Sequence, residues 1–203
     1  MSDPTSAMPA LDTIPVTMMP PAGHYGPAQD TGVSALMFDP PGLVTLAARR
    51  GKGEALAEAM REGFGLTLED GPRLSRGDNL SAIGLAPGRW LILASEAGDL
   101  HARLAPLAAH AAITEQGDAF VGFALEGPRV GDLLARGVTL DLDASVFPPG
   151  TAATTNVAHL NVTLWREATN RYVMLAGRSH GVSVARFLIG AGAAFGLSFA
   201  TRG

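Results

Sequence analysis

One order of elements recurs along this chain, and it restricts the fold more than any other feature. Leu43-Val44-Thr45-Leu46-Ala47 reads as a strand, Gly51-Lys52-Gly53 breaks it, and Leu56, Ala59, Met60 and Gly63 then mark one face at helical spacing. Leu80 to Leu85 and Trp90 to Leu93 are two strand-like runs joined at Pro87-Gly88, a hairpin signature. Leu100, Leu104, Leu107 and Ala108 set a second helical face, and Ala111 to Thr114 closes the unit as a strand.

The order then starts again. Phe120 to Leu125 is a strand, and Gly127-Pro128 opens a helix with proline in the first turn, where a missing N–H costs nothing. Val130, Leu133 and Leu134 supply its buried face, and Gly137 stands where a C-terminal glycine is expected. Leu160 to Trp165 and Tyr172 to Leu175 form a second hairpin around Glu167-Ala168-Thr169-Asn170. Val184, Phe187, Leu188, Ala191 and Phe195 make the last amphipathic face, and Leu197 to Ala200 closes as a strand.

The reading is therefore α+β, with β-α-β-β-α-β, the ferredoxin-like order, present twice at 43–114 and 119–200. One local match supports duplication: Arg89-Trp90-Leu91-Ile92-Leu93 against Arg171-Tyr172-Val173-Met174-Leu175. Each half alone has a thin core, so the two are expected to pack together. The expected divisions are an extended Pro-rich arm at 1–32, a first half at 33–116 and a second at 117–203. The arm holds six prolines, Pro4, Pro9, Pro15, Pro20, Pro21 and Pro27, which suit it poorly to a central strand. Its Met18, Met19 and Tyr25 suit a segment lying along another protein.

Composition removes several classes of function. At 203 residues the chain can bury a sizeable core without a metal or disulfide staple. Cys is 0, which excludes a disulfide framework, Cys-ligated zinc, iron–sulfur clusters and thiol catalysis together. The net charge of −4 argues against nucleic-acid binding. Phe187 to Ala200 contains three glycines and falls short of a membrane span, and the N-terminus has no signal-peptide character. A cytoplasmic location is expected.

No complete catalytic set emerges. Gly177-Arg178-Ser179-His180-Gly181 matches G-x-S-x-G between a strand and a helix, yet no Asp, Glu or His follows Gly181 to finish a triad. Ser179 is expected instead as a helix N-cap, with Gly177 in the turn. Arg49-Arg50-Gly51-Lys52-Gly53 lacks nucleotide-loop spacing and reads as a solvated basic turn. His24, His101, His110, His159 and His180 show no metal-ligand spacing, so no metal site is expected. Asp141 and Asp143 read as turn residues, and Trp90 and Trp165 as packing residues of the hairpins.

Several stretches together resemble the gamma subunit of heterotetrameric sarcosine oxidase. They are Gly84-Leu85-Ala86-Pro87-Gly88-Arg89-Trp90-Leu91, the run from Leu125-Glu126-Gly127-Pro128-Arg129 through Ala135-Arg136-Gly137, and Thr139-Leu140-Asp141-Leu142-Asp143. Phe147-Pro148-Pro149-Gly150, Leu164-Trp165-Arg166 and Arg178-Ser179 continue it, so that the resemblance covers most of residues 80 to 195 in order. The chain departs from the family at Thr114-Glu115-Gln116-Gly117-Asp118, where an Asp-x-Ser-type run is common, and at Gly137-Val138, where Gly-Cys is frequent.

The resemblance implies a fold like that of the folate-binding aminomethyltransferase, or T-protein, family. It also implies alpha, beta and delta partner subunits and oxidative demethylation of sarcosine to glycine, with hydrogen peroxide and formaldehyde or methylenetetrahydrofolate as the other products. FAD, FMN, NAD and tetrahydrofolate are implied for the whole complex and none for this chain alone. The chain is then an assembly subunit without catalytic residues of its own. The rival reading is a stand-alone folate-binding aminomethyltransferase. Arg89, Trp90, Arg171, Arg178 and Ser179 are the candidate contacts to an anion, a folate or a partner, and Met18, Met19 and Tyr25 the candidate docking arm.

Overall fold

Odd and even residues of the strands go to different cores. Val121, Phe123 and Leu125 join one apolar cluster, while Phe120 and Ala124 face another. In the first half Trp90, Ile92 and Ala94 point one way, and Leu91 and Leu93 the other. Side chains alternate across a strand, so strands apolar on both faces must be covered on both. The consequence is four layers, with two sheets face to face and helices on the outside of each.

The computed structural model describes residues 10–27 and 31–202. Its strands are β1 (Gly23–Tyr25), β2 (Val33–Phe38), β3 (Leu43–Ala48), β4 (Leu74–Arg76), β5 (Leu80–Ala86), β6 (Arg89–Ala94), β7 (Ala111–Glu115), β8 (Phe120–Glu126), β9 (Ala152–Val157), β10 (Leu160–Ala168), β11 (Arg171–Gly177) and β12 (Leu197–Arg202). The helices are α1 (Gly53–Phe64), α2 (Leu100–Leu104), α3 (Val130–Leu134) and α4 (Gly181–Gly192), with short 3-10 turns between.

A five-stranded sheet runs β4-β5-β6-β3-β7 with every pairing antiparallel. Leu56 and Met60 of α1 and Leu100 and Leu104 of α2 cover its outer face. A seven-stranded sheet runs β1-β12-β2-β8-β11-β10-β9, with α3 and α4 packed on its outer face. Within it β12 pairs with β2 in parallel, and the other pairings are antiparallel.

That second sheet differs from two simple copies of one unit. β2 lies between β12 and β8, so the last strand pairs with residues 33–38 and not with the strand that begins its own half. The expected division at 33–116 groups Val33–Phe38 with the first half, whereas their hydrogen bonds go to the second. The short edge strands β1 and β4 and the strand β9 are further additions to the expected order. They escape a periodicity reading because three-residue strands, and the polar run Ala152-Ala153-Thr154-Thr155-Asn156, carry no clear apolar alternation.

Several element ends also move. The second helical face of the first half is split, because Pro106 opens a separate 3-10 turn at Ala105–Ala109 and Ala108 is exposed. Pro128 precedes α3, whose N-cap is Arg129, and so stands outside the helix. Gly137 lies beyond the α3 C-cap, Ala135; it is required by packing, since a Cβ there would collide with the Phe187 ring. Ser179 caps nothing: it sits in a 3-10 turn, and α4 begins after His180 without a side-chain cap.

The arm lies on its own chain. Tyr25 pairs through β1 with Leu197 of β12, is buried in the outer core and donates its hydroxyl to the Pro21 carbonyl at 2.7 Å. Burial pushes the Tyr25 phenol up from its ordinary value. Met19 packs against the same core, and Arg186 of α4 donates to the carbonyl of Leu11 at 2.9 Å and to that of Pro15 at 3.4 Å. Of the three residues expected to dock on a partner, only Met18 is exposed. Residues 1–9 and 28–30 of the expected arm lie outside the described residues.

Candidate functional site

The two sheets meet through a third apolar cluster: Leu43, Ile83 and Leu91 on one side, Trp165, Val173 and Leu175 on the other. Toward one end the sheets part. Ser81, Leu93 and Ser95 there stand across from Ala124, Trp165 and Val173, with Leu36 and Phe38 of β2 completing the wall. The space between them is about 320 Å³. Phe38 reaches this wall because its register partner is Gly122, where its ring takes the place of a side chain.

A charged cluster edges the cleft. The Glu167 carboxylate accepts from Arg76 Nη2 at 2.7 Å and from Arg171 Nε at 3.0 Å, and Trp165 Nε1 donates to it at 3.3 Å. Arg76 belongs to β4 and Glu167 and Arg171 to the other sheet, so the pair Arg76–Glu167 ties the sheets across the opening. Only 17% of the Glu167 side chain is exposed, so these bonds are screened less than an ordinary surface pair. Arg202 lines the same cleft, and Asp39 at its edge accepts from Arg178 at 2.7 Å.

The residues named from sequence do not converge. Arg171 is at the cleft but bound to Glu167. Arg178 is spent on structure: besides Asp39 it donates to the carbonyls of Asp118, Gly117 and Phe120, clasping the turn before β8. Arg89 sits exposed at the β5–β6 turn, and Trp90 points into the outer core with its Nε1–H on the Glu69 carbonyl at 2.7 Å. Ser179 is exposed beside Arg178. What sequence reasoning missed is Glu167 and Arg202, and the only available signal was Glu167 four residues before Arg171.

The motifs that carried the family resemblance turn out to be scaffolding. Arg166 is 5% exposed, and its guanidinium donates to the carbonyls of Phe147 at 2.8 Å and Thr169 at 2.7 Å, with longer bonds to Ala168 and Leu142. It also lies 5.2 Å over the Tyr172 ring. One residue thereby fastens the 140–150 loop to β10 at Phe147 and, at longer range, at Leu142. Asp143 turns that loop by accepting from the Ser145 hydroxyl and N–H, bonds that hold its carboxyl below the ordinary range. Gly127, at φ +138°, lets the backbone pass the Gly32 carbonyl, which a Cβ would strike. Arg129 and Arg136 both stack on Phe195, at 4.7 and 4.5 Å.

Two sheets packed face to face between outer helices also occur in known proteins. A chain of heterotetrameric sarcosine oxidase from Corynebacterium sp. U-96, solved in complex with pyrrole 2-carboxylate, superposes with a TM-score of 0.65. The two are 22% identical, and the alignment covers 80% of each chain. Aminomethyltransferase T of the glycine cleavage system from Bartonella henselae gives a TM-score of 0.52 at 18% identity, over 82% of this chain and 47% of that one. The fold is similar to that of the T protein. It agrees with the resemblance seen in the sequence motifs. No family model matches the sequence, and no curated protein matches it.

The cleft offers little that matches tetrahydrofolate, the group the fold family implies. Its space, about 320 Å³, is at the bottom of the roughly 300–1,000 Å³ usual for ligand pockets. Nor is an acid free to meet an amine, because Glu167 and Asp39 are both paired with arginine. Among the described residues no group of three or more His, Asp or Glu side chains is placed to hold a metal ion, and no helix is long and apolar enough to cross a membrane.

Proposed function

We propose that this chain is the gamma subunit of a flavin-dependent heterotetrameric sarcosine oxidase and serves it as an assembly subunit in the cytoplasm. One observation carries the reading: the fold likeness to a chain of heterotetrameric sarcosine oxidase extends over four-fifths of both chains, and the motifs of the family resemblance lie in order along the sequence. On this reading alpha, beta and delta subunits are the partners, and FAD, FMN and NAD serve the reaction in the large subunits. What supports a structural part for this chain is that its motif residues Arg166, Gly127 and Arg178 are engaged in holding loops, while Arg129 pairs with Asp132 and stacks on Phe195. We also read the two sheets as a diverged duplication, since Trp90 and Tyr172 occupy like strands and both face an outer helical layer.

The test is co-expression of the tagged chain with the reading frames that flank its gene. The expected result is a flavin-coloured complex that eluates with the tag and releases hydrogen peroxide when given sarcosine or a related N-methylated glycine. A chain that elutes alone from every combination overturns the proposal. The rival, a stand-alone folate-binding aminomethyltransferase, has the second fold likeness in its favour and the small, acid-paired cleft against it.

A further inference from the structure

We propose that the cleft between the sheets is a binding site for a small amphipathic carboxylate, an acid carrying one ring or a short branched chain. Such a site is independent of assembly with flavoproteins.

Three observations point to that chemistry. The interior is apolar and rigid: Phe38, Leu93, Ala124, Trp165 and Val173 belong to strands hydrogen-bonded on both sides, so the space is held open by the sheets themselves. A concave apolar space with a few polar groups at its edge is the usual form of a small-molecule site, and its volume here admits about one ring. The edge is cationic. Asp39 is matched by Arg178, which leaves Arg76, Arg171 and Arg202 against the single carboxylate of Glu167 among the described residues. This excess stands out in a chain whose net charge is −4.

The placement of Glu167 sharpens the assignment. Both of its oxygens are occupied, one by Arg76 and Trp165 and the other by Arg171, so it is not available to recognise an amine. Arg202, at the end of β12, has no carboxylate partner among the described residues, and a guanidinium offers a carboxylate two parallel donors. The ligand's apolar body is then taken up between Phe38, Leu93 and Val173, and its carboxylate meets Arg202 with Arg171 beside it. Neutral compounds of the same shape gain only the first half of this interaction.

Calorimetry on the full chain tests the proposal with four probes: benzoate, cyclohexanecarboxylate, neutral benzamide and tetrahydrofolate. Benzoate or cyclohexanecarboxylate is expected to bind at millimolar concentration or below, and benzamide at least about tenfold more weakly, the factor that one charge-assisted contact supplies. Arg202→Gln, an exposed change, should weaken the acids about tenfold and leave benzamide unchanged. Ala124→Leu, which fills the cavity without altering charge, should abolish binding of both acids and of benzamide. Equal affinity for benzoate and benzamide, indifference to either variant, or no heat from either acid overturns the site. Tight binding of tetrahydrofolate overturns it too and favours the aminomethyltransferase reading, whereas failure of co-purification with flavoproteins would leave it standing.

Discussion

Arg166 and Phe147 are joined by a 2.8 Å hydrogen bond from a buried guanidinium to a main-chain carbonyl, and this bond links two motifs 19 residues apart in sequence. Phe147 is itself buried in the outer core, so the bond and the ring together anchor the Phe-Pro-Pro-Gly turn. A lone buried cation is costly, and here the cost is offset by four carbonyl acceptors and the face of Tyr172. Burial raises the Tyr172 phenol's pKa, and the neighbouring guanidinium opposes that rise.

Replacing Arg166 should therefore destabilise the whole second sheet. Arg166→Met leaves the carbonyls of Phe147 and Thr169 without their donor and is expected to cost about 3 kcal/mol. Arg166→Lys should lose more than half as much, because a point charge cannot span the same carbonyls. Urea unfolding of both variants measures this; a cost under about 1 kcal/mol for either would show that the loop is held by something else.

The tie across the cleft is a smaller effect. Glu167→Gln keeps the shape and removes the charge, and should cost about 1 kcal/mol. Its double-mutant cycle with Arg76→Gln should give a coupling of about 0.5–1 kcal/mol that shrinks in molar salt, because Arg76 is half exposed. Coupling that persists in high salt would contradict this.

Two glycines should respond in opposite directions. Gly122 faces the Phe38 ring at close range, so Gly122→Ala must displace that ring and is expected to cost about 1–3 kcal/mol by overpacking. Gly131 lies within α3 with open space where its Cβ would be, so Gly131→Ala should stabilise by about 0.5–1 kcal/mol. Thermal melts of the pair decide the matter, and a shift of the same sign in both would count against it.

Acid should loosen the Leu140–Gly150 loop through Asp143. The Ser145 hydroxyl and then its N–H lower the Asp143 pKa, so the folded value lies below the unfolded one. The stabilisation is complete above the unfolded carboxylate's pKa of about 4 and is lost as pH falls through the folded value. Asp143→Asn should melt below the parent protein near neutrality, and the gap should close on acidification. A gap independent of pH would assign the effect to shape and not to charge.

Local signals wrote much of this fold into the chain. Strands β3, β5, β6, β8, β10, β11 and β12 show apolar periodicity, Pro87-Gly88 turns a hairpin with Gly88 at φ +69°, and the apolar faces of α1 and α4 meet their sheets through Leu56, Met60, Val184 and Leu188. Such features depend on residues within a few positions of one another, and sequence order preserves those distances. The resemblance to sarcosine oxidase gamma subunits was also legible, because it lies in short contiguous motifs such as those around Gly127 and Arg166.

Only the tertiary structure decided which strands became neighbours and which charges met. Val33–Phe38 has no local reason to sit between β8 and β12; it goes there because hydrogen-bonding edges of both strands are open to it. Arg178 is a ligand-binding candidate by sequence, whereas its donors go to Asp39 and three carbonyls about 60 to 139 positions away. The cleft likewise exists because two sheets diverge, and Arg76, Glu167 and Arg202 reach it from three separate strands. Pairings of that kind are set by long-range packing, in which the chain's own order carries no distance information.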